Sequence, residues 1–485
     1  MPPRSYANQV TVSITIPDIP GHPLSGETLG LDEIARDLES ISTNKNISAP
    51  AGAYQLSFTG AHRYEGRTWD DLIPTYAVAR LNMWRPSVEE EACVMAGPVE
   101  AQSQAESWRQ PRVTVARPIS GKDFQGLLSD FKLYALLAGF GIESDAFTGI
   151  KEAMRGVLID PELLTRNQPP HEIIAAILTR YKDSMKLGLP DDFGSVIRFD
   201  KNEMRTFDAD ARYPIPPLYM HSGSLWGFLM QYADPTFHEL FADTHPAGDH
   251  VEVVFRPRPF TRDVRLRTDE TLFDPVSMDP TVALGRSRVA TIVLPEEDIL
   301  DWNISRGTAE MANLFWVLPG TSLFTDKEWR ALVAPEVCDT AGHPSDLNRY
   351  GVRPMEVTTP YWPVGLDDLN DEDKRQETAE AAVPFMGKWA KILKAWYQYN
   401  PLLYSGSIGV TGRSSYRIGD RLVVNRASER FEFYIQGVKQ TYLIPTSSFE
   451  THLSVVRGFR LGSVSAQYAL ERAEEDLRTV FPELG

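Results

Sequence analysis

The chain has few cysteines. Its 485 residues include only Cys93 and Cys338, and no C-x-x-C motif occurs. Two distant cysteines build neither a disulfide framework nor a zinc site. We therefore expect two packed or half-exposed thiols, in a protein made in a reducing cytoplasm.

Basic charge and long apolar runs are also scarce. With 66 acidic against 49 basic residues, the formal net charge is -17. That balance argues against a nucleic-acid-binding protein, because neutralising phosphates requires a basic face. The longest apolar runs, such as residues 133–140, are far shorter than a bilayer span, and the N-terminus lacks the apolar segment of a signal peptide. We therefore expect no membrane partner.

The composition that remains is typical of a soluble globular protein, with 42% hydrophobic and 24% charged residues. The length is too great for one ordinary hydrophobic core, so we expect two to four domains.

The first 120 residues predict β structure. Apolar and polar residues alternate there, as they do in half-buried strands, and Pro and Gly punctuate the gaps. The candidate strands are Val10–Ile16, Ala53–Thr59, Tyr76–Trp84, Ala92–Met95 and Val113–Ala116. This spacing is typical of a small antiparallel barrel or sandwich.

Helical spacing of apolar residues predicts four helices further along the chain. They are Asp123–Phe140, Pro170–Met185, Ser222–Ala233 and about Gln376–Gln398. Ser222 or Ser224 can cap the third, and Pro384 implies that the fourth is kinked or starts just before it. The apolar face of the fourth comprises Phe385, Trp389, Ile392, Leu393 and Trp396.

Apolar and polar residues alternate again in the middle and at the C-terminal end of the chain. The middle strands are His250–Arg256, Val289–Leu294 and Asn313–Leu318. The C-terminal strands are Tyr404–Thr411, Arg421–Asn425, Phe431–Ile444 and Ser447–Phe459. We expect a polar helix, Ser463–Val480, to end the chain.

Metal-ligating and catalytic patterns are weak. Acidic and histidine side chains cluster at Asp234, His238, Glu239, Asp243, His245, Asp249 and His250. The cluster contains no H-E-x-x-H, because Ala242 stands four residues after His238, so we expect a solvated or hydrogen-bonded turn and no metal. The glycine-rich stretch 406–412 lacks the Gly-Lys-Ser/Thr ending of a phosphate loop, and we expect no cofactor.

One enzymatic alternative stays open. Glycosidases use two carboxylates, and acidic pairs such as Glu296 and Glu297 allow a cell-wall (peptidoglycan) hydrolase. With 66 acidic residues such pairs also arise by chance, and we expect a protein that is not an enzyme.

Three stretches carry a family resemblance. The first runs from Leu225-Trp226 through Phe237-His-Glu-Leu-Phe241 to Arg256-Pro-Arg-Pro-Phe260. The second is Pro295-Glu-Glu-Asp-Ile299 followed by Trp302-Asn-Ile-Ser-Arg306. The third joins the turn in Tyr416-Arg-Ile-Gly-Asp420 to Phe433-Tyr-Ile-Gln-Gly-Val438 and to the Val-Val-Arg-Gly ending at Gly458. Together they resemble the central baseplate hub proteins of contractile-tailed phages, with Gln440 where that family often has His.

The resemblance covers roughly residues 215–460 and has several implications. It implies an α+β, mainly β fold with two small tube-type β-barrel domains and inserted α/β segments. It also implies a homotrimeric ring, whose six barrels match the six-fold tail tube and join it to the central spike. The implied partners are the spike, tail tube, tape measure and baseplate wedge proteins, in a virion tail baseplate assembled in the host cytoplasm.

The predicted domains follow these blocks. They are an N-terminal barrel-like tube domain (1–120), a helical insertion (121–215), a mixed α/β hub domain (216–375), and a helix with a C-terminal barrel-like domain and terminal helix (376–485). Aromatic residues are enriched at buried subunit contacts, and long unpaired strands are aggregation hazards. We therefore expect the 400–460 block to pair with the adjacent chain, with Trp396, Tyr434 and Val438 as interface residues.

Overall fold

The computed structural model describes most of the chain. The described residues are 9–59, 66–102, 105–109, 112–134, 168–182, 195–202, 204, 222–258, 289–320, 333–361, 372–427 and 429–460. Every statement about this structure concerns those residues.

Strands near both ends of the chain form one 14-stranded sheet. Its N-terminal strands are β1 Gln9–Thr15, β2 Thr28–Gly30, β3 Leu38–Asn46, β4 Ala53–Thr59, β5 Val78–Trp84, β6 Cys93–Gln102, β7 Ala105–Arg109 and β8 Arg112–Lys122. The short helices α1 (Leu31–Ile34) and α2 (Trp69–Leu72) lie between them. We call this part the N-terminal β-block; side chains of β1–β6 and β8 share one apolar core.

The C-terminal β-block is the other half of this sheet. Its strands are β14 Thr291–Leu294, β15 Ile299–Ser305, β19 Tyr404–Thr411, β20 Arg421–Arg426, β21 Glu429–Leu443 and β22 Ser448–Arg460. The order is β15-β19-β22-β21, with β20 and β14 continuing from one half of β21. A second apolar core lies beneath these strands.

The two β-blocks meet where β3 pairs with β21. Seven antiparallel residue pairs, from Gly437 with Asn46 to Leu443 with Ser40, join them. Two side chains of the C-terminal β-block, Tyr442 and Phe449, pack into the N-terminal core. Hydrogen bonding and packing therefore make one continuous sheet of segments that are far apart in sequence.

Strand β21 changes partner near Gly437. Its first half pairs with β20, and its second half pairs with β3. The pairing with β22 is irregular between Ile435 and Gly437, as at a β-bulge, which bends a strand and increases its twist. A Cβ at Gly437 would lie 3.0 Å from Asn46 Nδ2 and 3.3 Å from Lys45 O. The close approach of β3 thus favours glycine here.

A middle region packs against both β-blocks. It contains α3 Gln125–Asp130, β9 Lys132–Tyr134, α4 Pro170–Tyr181, β10 Ile197–Arg198, β11 Ser222–Ser224, α5 Leu225–Ala233, β12 His238–Thr244 and β13 Val251–Pro257. The β12–β13 hairpin is fully paired, and its inner face shares a core with α4 and α5. Strand β12 is buried along its whole length.

A long helix covers a separate small sheet. Strands β16 (Leu314–Pro319), β17 (Glu336–Val337) and β18 (Pro354–Thr359) form this sheet, and α6 (Leu347–Tyr350) precedes β18. Helix α7 (Glu372–Tyr397) packs on it, and the predicted apolar face from Phe385 to Trp396 is buried in their common core.

Most predicted elements are confirmed, with shifted ends. Ser224 caps α5, because its Oγ accepts a hydrogen bond from Gly227 N at 3.0 Å. The predicted helix Asp123–Phe140 is wrong in part, since Lys132–Tyr134 form a strand paired with Ser222–Ser224. Helix α7 begins twelve residues before Pro384 rather than beside it. The predicted helix Ser463–Val480 lies outside the described residues.

The mainly β, α+β fold class is confirmed. The predicted domain boundaries stay predictions. Strands β14 and β15, within the predicted 216–375 domain, pair with C-terminal strands. Cys93 and Cys338 are buried thiols outside any disulfide, as expected of packed cysteines.

The partner change in β21 predicts a position-specific cost of adding a side chain. Replacing Gly437 with Val places methyl groups against β3, and we expect a loss of about 1–3 kcal/mol in the free energy of unfolding. Gly307→Val is the matched control, because a Cβ there meets nothing within 4 Å. Urea unfolding of both variants measures the difference. Equal stabilities would show that β21 has room for a side chain at this point.

Candidate functional site: buried junctions and open strand edges

Three buried polar junctions connect the middle region to the β-blocks or the β-blocks to each other. At the first, Arg256 Nε donates to Glu239 Oε2 at 3.0 Å and Tyr434 OH donates to Glu239 Oε1 at 2.5 Å. All three side chains are buried. Burial and the charge of Glu239 raise the pKa of Tyr434 well above its usual range, so the phenol keeps the proton that it donates.

The glycine–aspartate turn belongs to the same junction. Arg256 Nη2 donates to Gly419 O at 2.7 Å, and a Cβ on Gly419 would lie 2.6 Å from that nitrogen. Asp420 Oδ1 accepts from Ala290 N. The structure therefore brings together Arg256, Gly419, Asp420 and Tyr434, which come from separate stretches of the family resemblance.

The second junction joins all three regions. Lys45 Nζ, on β3, donates to Asp243 Oδ1 and Thr244 Oγ1, each at 2.7 Å. Arg417 Nη1 donates to Thr244 O at 3.1 Å and lies 3.7 Å from Asp243 Oδ1. Burying a charge without a partner is costly, so this cluster favours one arrangement of the three regions.

Asp123 lies beside the second junction and is fully buried. Burial raises the pKa of its carboxyl group to about 6, although the nearby charge of Lys45 acts in the opposite direction. Oδ1 accepts from Gln125 N at 3.1 Å.

The third junction connects the two β-blocks beside β15. Asp298 Oδ1 accepts from Arg85 Nη1 at 2.8 Å, and its other oxygen pairs with Arg413. Glu89 accepts from Ser414 N at 2.8 Å. Burial alone would raise the pKa of Asp298, but the hydrogen bonds from both arginines hold it below its usual range.

The three residues predicted at a subunit interface are buried within this single chain. Trp396 lies in the core under α7, and Val438 lies in the C-terminal core. Tyr434 belongs to the first junction. Their role at a subunit contact stays a prediction, but any substitution there also acts on the fold of the chain itself.

The expectation that the C-terminal strands pair with an adjacent chain is wrong for β21 and β22. Strand β22 lies between β19 and β21, and β21 has β22 on one side and β20 with β3 on the other. Gln440 reinforces the contact with β3, because its Oε1 accepts from Thr43 Oγ1 at 3.3 Å. Its Nε2 donates to Arg413 O, which follows β19. These edges are occupied by the chain's own strands.

Strand β15 instead presents an open edge among the described residues. It pairs only with β19, and it is the edge strand of the sheet on the side of the C-terminal β-block. Trp302 and Ile304 pack toward the core, whereas Leu300 is 58% exposed. An exposed edge with an apolar side chain is a ready site for pairing with another chain.

The N-terminal β-block has a projecting ribbon. Strand β4 pairs with β8 only from Ala116 onward, so residues 112–115 of β8 pair with β7 alone among the described residues. The described residues of the N-terminal β-block thus also contain an open strand edge, on a ribbon that branches from β8 and not at the β2 end of the sheet.

The predicted polar cluster separates into several places. Asp234 accepts from Thr359 Oγ1, and His238 lies 3.3 Å from the hydroxyl of Tyr361. Burial lowers the pKa of His238 to about 3, which keeps the ring neutral. Glu239 and Asp243 belong to the first and second junctions, and the remaining members lie at the β12–β13 turn.

The carboxylate pair considered for hydrolysis lies at the surface of the protein. Glu296 and Glu297 are exposed, and Glu296 Oε2 accepts from Ala427 N at 2.6 Å. A cavity of about 510 Å³ opens beside Glu239, with Glu310 also in its wall. Glu239 is already bonded to Arg256 and Tyr434. In the described part of the chain, no helix is both long enough and apolar enough to cross a membrane.

Comparison with known proteins gave matches to solved structures alone. No protein-family model and no curated protein matches the chain. The tail protein from Neisseria meningitidis MC58 is 12% identical, with a TM-score of 0.46, over 93% of this chain and 97% of that one. The 43 kDa tail protein of prophage MuSo2 from Shewanella oneidensis is 11% identical, with a TM-score of 0.48 and the same coverage. A component of the type VI secretion system from E. coli is 10% identical, with a TM-score of 0.37, over 86% of this chain and 73% of that one.

The first junction predicts that the Tyr434 hydroxyl stabilises the fold of the single chain. Tyr434→Phe removes a hydrogen bond to a charged group, and we expect a loss of about 1.5–3 kcal/mol in the free energy of unfolding. Tyr76→Phe, at a residue 64% exposed, is the control and should change stability by less than about 0.5 kcal/mol. If Tyr434→Phe kept full stability but lost assembly, the hydroxyl would act at a subunit contact instead.

Asp123 predicts a pH dependence of stability with a defined sign. Because its pKa rises from 3.8 to about 6 on folding, the folded chain binds more protons than the unfolded chain between these values. The contribution of Asp123 to the free energy of unfolding therefore falls as pH rises from about 4 to about 6, by roughly 2 kcal/mol in order of magnitude. Asp123→Asn should flatten this part of the profile, measured by urea unfolding. The exposed control Asp32→Asn should keep the wild-type slope; a wild-type slope in Asp123→Asn would contradict the assignment.

Proposed function

We propose that this chain is the structural hub of a phage tail baseplate or of a related contractile injection machine. Three copies form a closed ring that joins a six-fold tail tube to the central spike. The observation that carries the proposal is the β3–β21 pairing, which sets two β-blocks side by side in one continuous sheet. The sequence motifs carry the resemblance to the hub family. Their residues Arg256, Gly419 and Tyr434 meet at one buried junction.

The symmetry argument starts from the two β-blocks of one chain. A tube ring of six units needs six lateral contacts between neighbouring units. In three chains with two β-blocks each, three of those contacts are intramolecular, and the β3–β21 pairing supplies them. The other three must lie between chains.

The open edges provide for those contacts. In the proposed ring, β15 of one chain faces the N-terminal β-block of the next, so the blocks alternate around the axis. Such a head-to-tail contact uses two different surfaces and closes when its rotation is one third of a turn. A closed ring leaves no long strand edge unpaired.

The partners follow from this position in the tail. The tube protein lies on one side of the ring and the spike on the other, with wedge proteins around it and the tape measure protein at its axis. The site of action is the virion tail, after assembly in the host cytoplasm. The role is mechanical, and the buried ion pairs that lock the three regions suit a part that transmits load.

A substitution on the β15 edge tests the ring. Leu300→Asp places a charge where the neighbouring chain would bury it, and we expect trimers to be lost. Leu300 is 58% exposed in the single chain. The substitution should therefore change the free energy of unfolding of the single chain by less than about 0.5 kcal/mol. Native mass spectrometry of the chain, alone and with its spike, gives the oligomeric state.

Val352→Asp is the matched control, since Val352 is 61% exposed and lies outside the large sheet. It should assemble like the wild type. A wild-type chain that is monomeric within assembled particles would overturn the trimer. Trimers of Leu300→Asp would move the contact away from β15.

A further inference from the structure

The turn between β12 and β13 brings together side chains that ligate metals. The turn is tight: His245 N donates to His250 O at 2.9 Å, and Gly248 N donates to His245 O at 2.8 Å. Gly248 has φ +72°, a left-handed conformation that glycine adopts without strain. As a result the rings of His245 and His250 stack, with centroids 4.4 Å apart.

A carboxylate completes the group. Glu252 lies two residues after His250 on the extended chain, so both side chains point to the same face. One ligating atom from each of His245, His250 and Glu252 lies within 4.8 Å of the other two. Two imidazoles and a carboxylate are the protein ligands of many zinc sites.

A second carboxylate, Asp249, orients His250. Asp249 Oδ1 lies 2.7 Å from His250 Nδ1 and 3.5 Å from His245 Nδ1. An ionised carboxylate only accepts hydrogen bonds, so His250 Nδ1 is the donor to Asp249, and Nε2 is the ring nitrogen that can take a metal ion. Metal-binding histidines commonly donate their other ring nitrogen to a carboxylate in this way. Arg198 Nη2, 3.2 Å from Asp249 Oδ2, holds that carboxylate in place.

The competing interpretation is a protonated His250 paired with two carboxylates. The distance from His250 Nε2 to Glu252 Oε1 is 3.8 Å, which exceeds a hydrogen bond. His245 Nδ1 accepts from Ala247 N at 3.2 Å. Metal binding at His245 Nε2 would break this hydrogen bond, because Nδ1 would then carry the ring hydrogen and face Asp249.

We propose that His245, His250 and Glu252 bind a divalent transition-metal ion, with Zn²⁺ as the best match. Imidazole nitrogens favour zinc over Ca²⁺ or Mg²⁺, and a fourth position stays open for water. Tetrahedral ligands at about 2.0–2.2 Å from zinc stand roughly 3.5 Å apart, so side-chain movements of about 1 Å close the site. The rest of the turn contacts the N-terminal β-block, where Cys93 N donates to Pro246 O at 2.7 Å. The ion would therefore fix the turn against β6.

The test uses the full chain, purified without a histidine tag and stripped with EDTA. Titration calorimetry with Zn²⁺ should show one ion per chain, and Co²⁺ should give the visible absorption of a site with nitrogen ligands. Zn²⁺ should also raise the melting temperature. His245→Ala and His250→Ala should abolish stoichiometric binding, and Glu252→Gln should weaken it at least about tenfold.

Two further variants keep the result decisive. His452→Ala removes an exposed histidine on β22 and should bind Zn²⁺ like the wild type. Asp249→Asn keeps all three ligands, and we expect about 10–100-fold weaker binding, which tests the site even if His250→Ala fails to fold. Absence of 1:1 binding at micromolar Zn²⁺, or binding that survives both histidine substitutions, would overturn the proposal.

Discussion

The antiparallel pairing of β3 with β21 is the contact on which the rest of the architecture depends. Its side chains Thr43 and Gln440 are 397 residues apart in the sequence. Closing so long a loop costs conformational entropy, and only the cooperative gain of a continuous sheet with packed cores offsets it. Once the pairing forms, the N-terminal β-block and the C-terminal β-block have one fixed relative orientation, and their outer edges become the ends of a single sheet.

Buried charges around that pairing make the orientation specific. Lys45 with Asp243 and Asp298 with Arg85 join regions that are distant in the sequence. The Glu239–Arg256 pair lies within the β12–β13 hairpin, and its hydrogen bonds to Tyr434 and Gly419 connect that hairpin to the distant C-terminal β-block. A buried ion pair adds little net stability compared with apolar packing, but breaking one is strongly destabilising. Another strand register or another packing of the regions would bury these charges without partners. The junctions therefore act mainly by excluding other arrangements.

The division between closed and open edges then gives the chain its capacity for assembly. Strands β21 and β22 are the longest in the C-terminal β-block, and both have their edges filled by strands of the same chain. The shorter β15 is left with an open edge and an exposed Leu300. A monomer organised this way protects its most aggregation-prone strands, and its limited open edge is the one assigned to the proposed ring.

Alternation and helical spacing in the sequence by themselves determined the mainly β class, strands such as Ala53–Thr59, and the buried face of α7. They did so because one-sided burial imposes a period of two on strands and about 3.6 on helices. Strand β3 was missed, since Leu-Glu-Ser-Ile-Ser-Thr-Asn-Lys-Asn has two apolar residues and buries Thr43 and Lys45 instead. Only the tertiary structure decided which edges are filled and which side chains meet at the β12–β13 turn, because pairing and ligation depend on distances between segments that no local period encodes.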